Sequence, residues 1–274
     1  MDAWLLWWSA LCAAAALNGA LWLFSHRALR KKSLPAEILG ARRILLWLSL
    51  VYAAGCAFRS VLPMIDVERY CLHDPWIARI FAGRSVATVA ELAFAAQWAI
   101  LMKEAGAVRA ARWVVPLIAA AEILSWLAVL TKNELFHAAE NTVWPLTAIL
   151  AVVFLATRWP YEGERGRMVI LGAVGSAAAY VAFMAAYVVP MYLARWQPGT
   201  EYLSLGAGLA DVLRTCTLVR DWALWWQDAA WLTPYFTICV WASLALAHVP
   251  DLRSPAAASK PDQRGSDRPL RRVA

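Results

Sequence analysis

The sequence predicts an all-α integral membrane protein, a bundle of seven transmembrane helices with its N-terminus outside and its C-terminus cytoplasmic. A short amphipathic outer helix is expected before the last span. Three observations predict this class. The 274 residues are 62% hydrophobic and only 16% charged, with a mean hydropathy of +0.52, whereas soluble domains stay nearer half apolar and a quarter charged. The apolar residues form continuous blocks of about 18 or more, the length a helix needs to cross about 30 Å of hydrocarbon. The 26 Lys and Arg residues alternate in density from loop to loop. Continuous rather than alternating blocks also argue against a β-barrel.

The first block, Trp4–Phe24, has no basic segment in front of it. A cleaved signal peptide needs one, so the block reads as an uncleaved first span, followed at once by Arg27, Arg30, Lys31 and Lys32. Further spans are predicted near Ile44–Leu62, Ile80–Met102, Trp113–Leu130, Ala138–Ala156, Met168–Leu193 and Trp222–Ala247. The connections 25–43, 103–112 and 157–167 and the segment from Val249 onward hold six, three, three and six basic residues, 18 of the 26. Lys and Arg mark the cytoplasmic side, and this gives the orientation. It also accounts for the formal charge of +7 without a nucleic-acid partner. The 17 Trp residues fit a chain that meets the water–lipid interface. The expected setting is the lipid bilayer of the cell membrane.

Residues 1–249 are read as the membrane domain and 250–274 as a disordered basic cytoplasmic tail, rich in Pro, Ser, Arg and Asp, with Arg271 and Arg272 able to touch anionic lipid. In the outer segment 197–221, Leu205, Leu209, Val212, Leu213 and Cys216 recur at helical spacing, near Asp211 and Arg214. This is the amphipathic helix, either a lid on an outer cavity or a connector resting on the bundle. In its seven-span topology the chain resembles the rhodopsins. A retinal Schiff base, however, needs a lysine in the last span, and Trp222–Ala247 has none.

Candidate chemistry lies in the acids within the spans. A charge at the bilayer centre costs about 2.5–3.5 kcal/mol on insertion scales, so Glu91, Glu122, Glu140 and Asp228 need a reason to be there. Helical spacing puts Arg84, Thr88, Glu91, Ala95 and Trp98 on one face of the third span. Glu140, Trp144 and Thr147 share a face of the fifth. Asp221, Trp225 and Asp228 share one of the seventh, with Tyr235 two turns below. Glu122 shares a face of the fourth with Ser125 and Trp126. Turned inward, these faces describe an outward-facing polar and aromatic pocket with ligand-binding residues Arg84, Glu91, Glu122, Glu140, Trp144, Trp225 and Asp228. The acids would meet a cation, a proton or a polar ligand, and the tryptophans would stack on it. The competing reading is helix–helix glue, with the acids protonated or paired to Arg59 and Arg84.

The segment Pro63–Trp76 packs Asp66, Glu68, Arg69, Cys71, His73 and Asp74 together. Its spacing matches no metal site, so no metal is assigned and a hydrogen-bonded loop is expected. Cys71 and Cys216 fall on the same side in different loops, where an oxidising compartment permits a disulfide. No phosphate loop, zinc motif or nucleophile elbow is present, and no cofactor is implied. Three functional classes fit: a transporter or receptor for a small molecule, a membrane scaffold or assembly protein, and an integral membrane enzyme acting on a lipid or isoprenoid. The last lacks a metal set or nucleophile.

Overall fold

A computed structural model describes residues 2–157 and 163–252. The main helices are α1 (Ala3–Arg30), α2 (Ala36–Val61), α3 (Ile80–Glu104), α4 (Val108–Thr131) and α5 (Glu134–Ala156). After them come α6 (Glu164–Phe183), α7 (Val189–Arg195), α8 (Leu205–Arg214), α9 (Trp222–Phe236) and α10 (Ile238–Leu246). Three two-residue strands, β1 (Met64–Ile65), β2 (Tyr70–Cys71) and β3 (Thr217–Leu218), make one small sheet. Seven stretches are long and apolar enough to cross a membrane: α1 to α5, Ile170–Arg195 and Trp222–Leu246. Each expected block centres on one of them. Every span presents apolar side chains outward, among them Leu23, Val51, Val89, Ile123, Val153, Leu171 and Trp241, as lipid contact requires.

The helices pack largely in chain order, and the seventh span closes the bundle against α1 and α2. Two spans are irregular, each for a local reason. Pro190 has no N–H and its ring crowds the carbonyl four residues back, which breaks the regular ladder. The chain widens there into a π turn, Met184–Val188, between α6 and α7. The seventh span breaks at Thr237 (φ −118°, ψ −77°), just after Pro234. Asn18, buried in α1, repairs this break. Its amide donates to the Phe236 carbonyl at 2.8 Å and its carbonyl accepts from the Trp241 indole at 2.9 Å. Backbone groups freed inside a bilayer need such partners. Asn18→Leu is therefore expected to cost about 1–3 kcal/mol, read as a lower thermal midpoint of the purified protein. An unchanged midpoint would show that the break needs no partner.

A second clamp joins three spans. The Gln97 amide of α3 donates to Ser49 Oγ and the Leu45 carbonyl of α2, both at 2.7 Å, and accepts from Ser243 Oγ of α10 at 2.6 Å. At the end bearing the basic connections, Arg42 makes a two-pronged pair with Glu104, both bonds at 2.6 Å. Arg42 also donates to the carbonyls of Val249 and Pro250, and Glu104 accepts from Leu252 N–H. The first residues of the segment assigned to the tail are thus held against the bundle. Residues 253–274, with Arg271 and Arg272, lie outside the described residues.

The opposite end is closed by loops. β1 pairs antiparallel with β2, and β2 pairs parallel with β3. Cys71 is bonded to Cys216, with Cα atoms 5.8 Å apart. Arg69 sits at φ 62°, which turns its side chain inward. Its guanidinium reaches Asp211 (2.8 Å), the Val129 carbonyl (2.6 Å) and the Asp66 carbonyl. These contacts hold α8 across the end of α4. Gly208 makes the close approach, because a Cβ there would overlap the Leu130 carbonyl. Gly208→Ala should lift α8, and faster tryptic cleavage after Arg214 would report it; unchanged cleavage would argue against the packing. The apolar set of α8 divides differently from the spacing argument. Val212 and Gly208 are buried, whereas Leu205, Leu209 and Leu213 point outward as a stripe suited to the lipid interface. The helix buries the narrow side where glycine permits contact, so the leucines one turn apart are left outside.

Candidate functional site

Helices α3, α4 and α5 bring Glu91, Glu122 and Glu140 together. One carboxylate oxygen from each lies within 4.8 Å of the others, and all three side chains are buried. The α-helical steps along α3 set Arg84 about two turns from Glu91 on the same face. Its guanidinium bridges the group, with Nη2 3.2 Å from Glu91 and 2.5 Å from Glu122. Thr88 donates to Glu122 at 2.6 Å and accepts from the Trp126 indole at 3.1 Å. Tyr235 of α9 donates to the other oxygen of Glu91 at 2.6 Å. The His137 ring bonds Glu140 at 2.7 Å and lies 5.0 Å from the Tyr192 ring. Five spans therefore converge here.

Asp66, from the turn between β1 and β2, roofs this cluster. It accepts from Arg59 at 3.2 Å and lies 4.0 Å from Arg84. The loop acids are consequently ion-paired rather than arranged around a metal: Asp66 with Arg59, Glu68 with Arg195 and Asp74 with Arg79. His73 packs its ring 4.8 Å from Trp8. Burial pushes the Glu68 carboxyl up, against the pull of Arg195. Burial also raises Asp211, but its hydrogen bonds to Thr215 and Arg69 outweigh this and hold it below its ordinary value.

Asp228 faces inward as well, but with its own partners. Arg195 pairs with it at 2.8 Å and also reaches Glu68 and Gln227, while the Trp231 indole donates to it at 3.1 Å. The link between Asp228 and Glu91 runs through rings: Trp231 lies 6.1 Å from Tyr235, which holds Glu91. Each of these two acids therefore sits in its own ion-pair group, and the two groups adjoin. Trp225 does not line either. It is fully buried against Trp7, Ile65 and Leu72, and its indole caps the Val219 carbonyl at 3.0 Å. The loop over the bundle end turned that face of α9 into core. Trp144 packs on the Ala95, Met102 and Ile118 cluster. Helical spacing gives each tryptophan a helix face but does not say which neighbour fills the space beside it.

Charge and hydrogen bonding remain unbalanced in the cluster. Three carboxylates face one guanidinium and the His137 ring on Glu140, because Arg59 is engaged by Asp66. Among the described residues, Glu122 Oε1 and Ser125 Oγ, one turn apart on α4, are buried without a hydrogen-bond partner, as is Arg84 Nε. A buried unsatisfied polar atom costs about 1–3 kcal/mol, so these atoms mark a place suited to a bound species. An oxygen-rich set of this kind suits a hard cation. Three groups here escaped the sequence reading. His137 had a signal, since a histidine three residues before Glu140 shares its helix face. Arg195 and Asp66 had none, because their partners are remote in the chain.

Comparison with protein-family models, with curated proteins and with solved structures finds no match for this chain.

Proposed function

We propose that this chain is a multi-pass membrane transporter driven or gated by a small cation, which binds at Glu91, Glu122 and Glu140 in exchange for protons. The excess of carboxylates over guanidinium in that cluster carries the proposal. An uncompensated charge away from water costs several kcal/mol, so protons or a cation must balance it, and the two can exchange. Arg84 acts as the fixed internal cation that keeps the empty site from holding its ligand too tightly. The basic connections support an orientation with the disulfide end outside. Asp66 then closes the site from the outer side, and its longer contact with Arg84 is the one that opening must break.

A scaffold is the second reading, favoured by the internal partner that each acid possesses. One experiment separates them. The full chain in lipid nanodiscs is heated in sodium, calcium, manganese or choline chloride at equal ionic strength, while a pH dye records proton release. A transporter site predicts that one metal ion raises the midpoint over choline, by about 2.7 kcal/mol of stability at 100 times its dissociation constant, and releases protons. Glu122→Gln and Glu140→Gln should abolish both responses. A scaffold predicts that no ion surpasses choline and that the same substitutions lower the midpoint equally in every salt, since each breaks a buried pair.

A further inference from the structure

At the basic end, α1 and α2 part to leave a cavity of about 190 Å³ lined by His26, Leu29, Arg30, Arg43, Leu46 and Trp47. Its two halves have different chemistry. Arg30 and Arg43 line it from neighbouring helices and are exposed, and His26 stands one turn from Arg30. Leu29 and Leu46, which also line it, are buried. The aromatic side is stiff, with Trp22 stacked on His26 at 5.3 Å and tilted against Trp47 at 5.6 Å. One turn further into the spans, Leu23 and Val51 are exposed and apolar. The cavity therefore lies where a lipid-facing surface meets a basic rim.

We infer that this cavity binds the phosphate of an anionic phospholipid, with Arg30 and Arg43 on the phosphate and the acyl chains along Leu23, Trp47 and Val51. A point cation alone would attract any anion. Two guanidiniums can each give paired hydrogen bonds to phosphate oxygens, and the apolar strip selects a molecule with a hydrocarbon tail. Basic pockets between spans are a recurrent place for acidic headgroups. The inference needs only that the chain sits in a bilayer, and it is independent of the acid cluster.

Native mass spectrometry of the full chain in detergent tests this, with phosphatidylglycerol or phosphatidylcholine of matched acyl chains added in turn. The expected result is a one-to-one phosphatidylglycerol adduct in excess of phosphatidylcholine. Arg30→Ala with Arg43→Ala should weaken that preference roughly tenfold or more. Arg27→Ala with Lys31→Ala, which removes the same charge outside the cavity, should retain it. If the alanine pair fails to fold, Arg30→Gln with Arg43→Gln is read in its place. Equal binding of the two lipids, or equal loss in both double variants, would overturn the site. Displacement of the lipid by inorganic phosphate would show that free phosphate, not a lipid headgroup, is the occupant.

Discussion

Replacing Arg84 with methionine should destabilise the protein by about 3–5 kcal/mol. The guanidinium is buried and bonded to both Glu91 and Glu122, with Asp66 above it. Removing it leaves three mutually close carboxylates with no fixed cation, while methionine keeps much of the volume. A second substitution distinguishes charge from packing. In Arg84→Met with Glu122→Gln, the amide can still accept from Thr88 and one negative charge is gone, so much of the lost stability should return. Thermal unfolding in nanodiscs would measure both. A loss below about 1 kcal/mol for the single variant, a value usual for exposed ion pairs, would mean that the guanidinium does not hold the cluster. A double variant no better than the single would assign the effect to shape instead of charge.

Opening the bond between Cys71 and Cys216 should cost about 2–4 kcal/mol. The bond closes a loop across 145 residues, which contains α3 to α8, so cutting it frees a large part of the chain in the unfolded state. It also releases the strand pairing of β2 with β3 and the seat of α8. Cys71→Ser with Cys216→Ser should therefore lower the thermal midpoint and expose α8 to protease, while Cys12→Ser, at a free cysteine, should do neither. Asp211 and Arg69 would still hold α8 from its other side, so the helix should loosen rather than detach. A midpoint unmoved by the double substitution or by reductant would show that hydrogen bonds and packing alone secure this end.

The seven spans were legible because hydrocarbon imposes a rule on composition that acts locally. A block of apolar residues long enough to cross a bilayer is a helix whatever its neighbours do, since its backbone has no other way to pair. Helical periodicity was equally local, and it set Arg84 and Thr88 on the face of Glu91 and Tyr235 two turns below Asp228. The short helix at Leu205–Arg214 followed from the same spacing. What the amino-acid order determined, then, was which residues are helical and which of them share a face. The bundle decided which faces meet. Glu140 joined Glu91 and Glu122 only when α5 packed on α4 and near α3, and Asp228 was diverted to Arg195 on a helix irregular at Pro190. Trp225 became core because a loop from residues 63–73 folded over it. Asn18 gained its role only because the seventh span breaks opposite it. Such pairings join different helices and loops, and they depend on helix rotation and offset that many side chains set together, so no single segment records them.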